Sequence, residues 1–181
     1  MTLKELKNRA LIKADEVANA ELYEDIIIDA INSVGDKIVA FARPRVKCIE
    51  VESNNKRITM PSDMIVLNEV QNMDGNIVRY RKIDNRTIEV STDGIYRLNY
   101  NAIFPNITKE TEDNEVIDIE EVCEDCLITG VASVIAIDDI EKYDILANEY
   151  NNLLANLSQL DEPVQDLNNQ KVSRVGGWYW W

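Results

Sequence analysis

The sequence predicts an α+β fold: a bundle of about four helices, a central antiparallel β insert and an extended C-terminal tail. Apolar residues recur at helical spacing before residue 42 and after residue 118, which indicates two helices on each side of the middle. Between them, apolar and polar residues alternate, as in strands that are buried on one face. We expect helices at 3–18, 23–42, 118–137 and 140–160, a β insert at 46–100 and a tail at 161–181.

The first two helices are predicted from apolar stripes. One stripe runs from Leu3 to Val17, and the second consists of Ile27, Ile31, Val34, Ile38 and Phe41. Pro44 limits the second helix, because a proline disfavours helical backbone in the residue before it and has no N–H to donate.

The β insert is predicted as a small antiparallel sheet with turns between its strands. Met73-Asp74-Gly75-Asn76 predicts a hairpin, because Asp-Gly favours a turn in which both central residues have positive φ. Thr92-Asp93-Gly94 marks another turn. The expected strands lie around Ile49 and Val51, Ile58 to Met60, Ile65 to Val70, Ile77 to Tyr80, Ile88 to Val90, and Tyr96 to Tyr100.

The last two helices follow a loop that contains Pro105. Asp118 is the predicted N-cap of the third helix, and Asp138-Asp139 can cap the fourth. The third helix has a stripe of Ile119, Val122, Cys126, Gly130 and Ile137. The fourth has the cleanest stripe in the chain, and within it we expect Tyr150, Leu153, Leu154 and Leu157 to be core residues.

The net charge of −14 is unevenly distributed along the chain. Residues 1–36 have 4 basic and 8 acidic groups, residues 37–97 have 11 and 8, and residues 98–181 have 4 and 17. This balance predicts weak binding to nucleic acid, because lysine and arginine provide affinity for phosphate. No apolar run approaches the length of a membrane span, and three cysteines suggest free thiols in a reducing cytoplasm.

No catalytic signature is apparent, and we expect neither enzyme activity, a cofactor nor a metal. The chain has no histidine, which excludes Ser-His-Asp and Cys-His catalysis, and it has no glycine-rich phosphate loop. Cys123 and Cys126 form a C-x-x-C pattern inside a predicted helix, beside two carboxylates. A redox pair or half of a zinc site is possible, but two small buried residues is the favoured interpretation.

Two charged clusters have open interpretations. Nine acidic residues lie between Glu110 and Asp125, where a metal or acid–base site is less favoured than a solvated loop before a helix N-terminus. Arg79, Arg81, Lys82 and Arg86 form a basic cluster on the insert. It could contact nucleic acid, be a solvated face of the sheet, or pair with an acidic neighbouring subunit.

The tail ends on a group of large aromatic residues that includes all three tryptophans. Such residues are common binding anchors, although a tail that folds back on its own core is an equal alternative. The predicted partner-binding residues are Val175, Trp178, Tyr179, Trp180 and Trp181.

The order of these parts resembles the head–tail adaptor (connector) proteins of tailed bacteriophages, especially the tail-tubular-A-like adaptors of short-tailed phages. An N-terminal helix pair precedes a β-rich insert with the turn Met60-Pro61-Ser62-Asp63. A loop with proline then leads to a helix with small residues, Thr129-Gly130-Val131-Ala132-Ser133. A charged helix with tyrosines, Tyr143 to Tyr150, precedes the tail.

The resemblance implies that residues 1–160 are a single adaptor domain of a structural virion protein. Such adaptors form a ring, typically of twelve subunits, under the portal, where they extend the DNA channel and provide a platform for tail components. The implied partners are other copies of the chain, the portal protein, tail proteins, and DNA that passes through the lumen without specific binding. The implied location is the head–tail junction of the virion after assembly in the host cytoplasm, without a membrane.

Composition leaves an alternative of a different class, an acidic DNA-mimic inhibitor of a nucleic-acid enzyme. Its strong negative charge would suit a basic protein partner. Such an inhibitor is expected to be a soluble monomer or dimer, whereas an adaptor is expected to form a ring.

Deletion of residues 174–181 should separate assembly from folding. If the aromatic residues anchor the subunit to the portal or to a neighbour, the truncated chain keeps nearly the same melting temperature but no longer assembles. Calorimetry and sedimentation of both chains measure the two properties. A truncated chain that unfolds much earlier, or that assembles normally, would contradict the prediction.

Overall fold

The computed structural model describes residues 1–160 and confirms the α+β class. The predicted tail at 161–181 therefore lies outside the described residues. The α-helices are α1 (Leu3–Ala14), α2 (Glu24–Phe41), α3 (Glu124–Ile135) and α4 (Ile140–Gln159). The strands are β1 (Arg45–Glu52), β2 (Arg57–Thr59), β3 (Met64–Asn72), β4 (Arg81–Lys82), β5 (Thr87–Glu89) and β6 (Ile95–Ala102). Short 3-10 helices occupy Val17–Leu22, Glu121–Cys123 and Ala136–Asp138.

Helix α3 is the centre of the helical unit. Nine of its twelve residues are buried, and it packs against α1, α2 and α4. Its two buried hydroxyl groups bond within the helix: Thr129 Oγ1 donates to the Asp125 carbonyl and Ser133 Oγ to the Gly130 carbonyl, both at 2.7 Å. A helix that is apolar on nearly every side thus occupies the core without unpaired polar side chains.

Two glycines set the distances between packed elements. A Cβ atom at Gly130 would lie 2.6 Å from Val34 of α2 and 2.9 Å from the Tyr150 ring of α4. A Cβ atom at Gly35 would lie 2.5 Å from the Phe104 ring. Both positions therefore bring backbone into contact with a neighbouring side chain, which no larger residue permits without movement.

The N-terminus of α1 is tied to the segment that follows β6. Thr2 and Glu5 form a capping box, in which Thr2 Oγ1 accepts from the Glu5 N–H and Glu5 Oε2 accepts from the Thr2 N–H. The N–H groups of Leu3 and Lys4 donate to the carbonyls of Glu115 and Asp113, each at 2.9 Å. Each of the first four N–H groups of α1 therefore donates a hydrogen bond. Two of the acceptors are carbonyls more than a hundred residues further along the chain.

The β insert forms a second unit with its own core. Its strands pair antiparallel in two three-stranded sheets, ordered β1-β6-β3 and β2-β5-β4. Both sheets contribute to one apolar cluster, which includes Ile58 and Ile88 from one sheet and Val70 and Leu98 from the other. The helical core is a separate cluster, which extends into the loop after β6 through Phe104, Ile107 and Ile117.

Several predicted boundaries are wrong. The first helix, expected at 3–18, ends at Ala14, because Asp15 adopts a left-handed conformation (φ 58°) and caps it. The third, expected at 118–137, is α-helical only from Glu124, and Asp118 does not cap it because its carboxylate pairs with Arg45. The insert, expected at 46–100, spans Arg45 to Ala102. The expected single sheet is two sheets, because the chain changes sheets between Ile77 and Tyr80.

Gly130→Ala and Gly35→Ala should each destabilise the protein by about 1–3 kcal/mol, the usual cost of adding a methyl group to a full core. This cost exceeds the gain of up to about 1 kcal/mol that alanine brings to a helix. Urea unfolding followed by circular dichroism measures the effect. Gly94→Ala is the control, because nothing lies within 4 Å of the added atom. Equal stability of all three variants would show that Val34, Tyr150 and Phe104 can move aside without cost.

Candidate subunit interface

The predicted tail anchors Val175, Trp178, Tyr179, Trp180 and Trp181 lie outside the described residues, so their role in partner binding stays a prediction. The charged clusters and the two sequence motifs all lie within residues 1–160.

The acidic segment from Glu110 to Asp125 is largely engaged with cations of the same chain. Five of its nine acids form ion pairs: Asp113 with Lys7, Asp118 with Arg45, Glu120 with Arg43, Glu124 with the Met1 amino group and Arg9, and Asp125 with Arg9. Within residues 1–160, no group of three or more histidine, cysteine or acidic residues could hold a metal ion. These ion pairs therefore connect α1 and the start of β1 to the segment that leads into α3 and to the first turn of α3.

The cysteines of the C-x-x-C pattern are both buried. Cys123 lies in the 3-10 turn before α3, and Cys126 lies in its first turn. Burial raises the pKa of the Cys123 thiol to about 11 and that of Cys126 to about 12. Both thiols are thus protonated at neutral pH and poorly suited to redox chemistry, as expected for small core residues.

The Pro-Ser-Asp turn has a structural role in the β unit. Asp63 Oδ2 accepts from Lys47 Nζ at 2.6 Å, and Oδ1 accepts from the Tyr100 hydroxyl at 3.1 Å. Its carbonyl accepts from the Ile103 N–H at 2.9 Å. The Lys47 ammonium lowers the pKa of the Asp63 carboxyl, while burial and the Asp63 carboxylate raise the pKa of Tyr100. One carboxylate thus joins β1, the turn and β6.

The basic cluster forms an exposed surface at the end of the β unit, which we call the basic tip (residues 73–86). Arg79, Arg81, Lys82 and Arg86 are all exposed. Arg81 pairs with Glu89 at 2.6 Å, but the other three have no ion pair among the described residues. With Asp74 and Asp84, the basic tip has four basic and two acidic groups.

The basic tip also exposes apolar side chains, which were not predicted to be surface residues. Ile77 is 71% exposed, and Met73, Tyr80 and Ile83 are each more than 40% exposed. They are exposed because the Asp74-Gly75 hairpin returns only as far as Val78, whose N–H bonds to the Val70 carbonyl, before the chain leaves for the second sheet. An apolar surface surrounded by arginines is suited to binding another macromolecule.

The sequence matches no protein-family model, and no curated protein is detectably similar to it. In residues 1–160, no helix is both long enough and apolar enough to cross a membrane.

Asp63→Asn should lower the free energy of unfolding at neutral pH by about 1–2 kcal/mol, as a charged hydrogen-bond acceptor is lost. Because the pKa of Asp63 is lowered in the folded state, its stabilisation is present above the unfolded pKa and is lost as the pH falls through the folded value. The difference in free energy of unfolding between the variant and the wild type should therefore become smaller below about pH 4.

Denaturant unfolding at a series of pH values measures this difference. Asp74→Asn is the matched control, because the exposed Asp74 carboxylate pairs with no cation in the described part of the chain. A difference for Asp63→Asn that is constant between pH 3 and 7 would contradict an electrostatic role.

Proposed function

We propose that this chain is a structural virion protein of a tailed bacteriophage, a head-to-tail adaptor that forms a ring under the portal, extends the DNA channel and supports tail components. The order of parts is the observation that supports this proposal most directly. Helices α1 and α2 precede a β unit with a Pro-Ser-Asp turn, and the buried, glycine-containing α3 and the charged α4 follow.

The distribution of charge supports a role around passing DNA. Residues 1–44 have six basic and eight acidic groups and residues 103–160 have two and fourteen, so the helical unit has a net charge of −14. The β unit, residues 45–102, has nine basic and eight acidic groups, a net charge of +1. An acidic helical surface repels a polyanion and lets it pass without adhering.

Exposed apolar residues on both units support assembly into a larger particle. Phe41 and Ile140 are each 75% exposed on the helical unit, and Ile77 is 71% exposed on the β unit. Ile77 shares its exposed segment with Met73, Tyr80 and Ile83, and apolar surface that is grouped in this way is typical of sites that another macromolecule covers. A DNA mimic is less well supported, because five acids of the densest acidic segment are already neutralised by cations of the same chain.

Native mass spectrometry and electron microscopy of the purified full-length chain, alone and with a portal ring, test the proposal. We expect closed rings of many copies, on their own or on the portal, and no shift of duplex DNA in a gel at physiological salt. Serum albumin in place of the portal is the control for non-specific adhesion. A chain that stays monomeric, does not bind the portal and instead binds a basic nucleic-acid enzyme would contradict the proposal. It would support the DNA-mimic alternative.

A further inference from the structure

The corner between α3 and α4 exposes several large apolar side chains within one short stretch, which we call the acidic corner (residues 137–145). Tyr143 is only partly exposed and lies on nearly the opposite side of α4 from Ile145. Ile137 is 62%, Ile140 75% and Ile145 68% exposed. They lie where the helix axis changes direction, through the 3-10 turn at Ala136–Asp138 and the Asp139 cap of α4. No part of residues 1–160 covers these side chains.

The acidic corner also has carboxylates without cationic partners. Asp138, Asp139, Glu141 and Asp144 form no ion pair among the described residues, although Asp139 Oδ1 caps α4 through the Lys142 N–H at 3.1 Å. The one cation of the corner, Lys142, is directed towards α1, where its Nζ lies 3.1 Å from the Ala14 carbonyl and 3.7 Å from Asp15. The surface is therefore apolar and negatively charged.

We propose that the basic tip of one copy binds the acidic corner of the next copy. The two surfaces are complementary in both respects that matter for recognition. Both expose large apolar side chains, four on the tip and three isoleucines on the corner, and the charges are opposite: four basic and two acidic groups on the tip, one basic and four acidic on the corner. Pairing them buries apolar area while each unpaired carboxylate gains a nearby cation.

The two surfaces belong to different units of the chain, the tip to the β unit and the corner to the helical unit. Each copy thus has one of each, and the contact is head-to-tail: a copy that binds through its tip keeps its corner for another. Repetition of such a contact gives a ring if the rotation between copies closes, and a filament otherwise. The inference rests on the proposed function in one respect: the tip–corner contact is the contact by which copies would form the ring.

Charge reversal on either surface should weaken assembly. The tip-reversed chain contains Arg79→Glu and Lys82→Glu, which spare the Arg81–Glu89 ion pair. The corner-reversed chain contains Glu141→Lys and Asp144→Lys, which spare the Asp139 cap. By sedimentation velocity, each should associate with itself at least about tenfold more weakly than wild type. The wild type should itself associate more weakly as salt is raised.

An equimolar mixture of the two reversed chains should restore assembly. The reversed tip, now acidic, meets the reversed corner, now basic, and the native tip of the second chain meets the native corner of the first. Both contacts in an alternating assembly are then complementary. A tip-to-tip or corner-to-corner contact is distinguished by the single variants, because reversal of the surface that such a contact does not use would leave self-association unchanged.

Two control variants change the net charge by the same amount at other exposed sites. Lys4→Glu with Lys37→Glu matches the tip reversal, and Asp36→Lys with Glu110→Lys matches the corner reversal. Both should assemble as the wild type does. Ile77→Ser and Ile140→Ser test the apolar part without a change of charge, and each should weaken association. Circular dichroism melting shows whether each variant is folded before its assembly is compared.

The outcomes separate this inference from the proposed function. Reversed chains that assemble as tightly as wild type, a mixture without rescue, or a wild type that stays monomeric both alone and with the portal would each overturn the tip–corner contact. Portal-bound rings that form equally well with both reversed chains would also overturn it, and the proposed function would stand. A wild type that assembles through tip and corner but never binds a portal would overturn the function and leave the contact intact.

Discussion

Helix α3 is buried against α1, α2 and α4, and this burial constrains every other element of the helical unit. A helix with neighbours on three sides can expose few side chains, so its residues from Cys126 to Ile135 are all either small or apolar. Gly130 lets α2 and α4 approach closely enough for Val34 and Tyr150 to share its surface. The positions of these helices then fix where the chain can enter and leave the β unit.

The segment between β6 and α3 shows how charge serves the fold. It is irregular, yet Asn32 of α2 holds it through two hydrogen bonds with the backbone of Ile107, each 2.8 Å long. Further along, its acids meet the cations of α1 and the arginines beside β1. Each exposed ion pair contributes little alone, but together they add to the anchoring that Phe104, Ile107 and Ile117 provide in the helical core.

Periodicity predicted which elements exist, whereas the ends of those elements depended on contacts that a sequence does not display. Asp139 caps α4 as expected, since a cap depends on adjacent residues. Asp118 has the same local signal but pairs with Arg45, 73 residues away. The stripes failed where partners were missing, since Val122 and Ile137 are exposed. Leu153 and Leu154 are half-buried but pack against the helical core, beside the buried Tyr150 and Leu157. The basic residues of the tip were recognisable from sequence, but its exposed apolar residues were not, because their exposure follows from the change of sheet after Val78.

The β unit enters and leaves the helical unit at one place. Arg45, its first residue, lies opposite Ala102, its last, in the register of β1 and β6. An inserted unit whose first and last residues are adjacent can change in length, or be exchanged, during evolution without moving the unit that contains it. The reason is that the distance between its two connections stays short and fixed. Here the two cores share no buried residue, so selection can alter one while the other stays unchanged. The same helical scaffold could therefore carry different inserts, each with its own specificity.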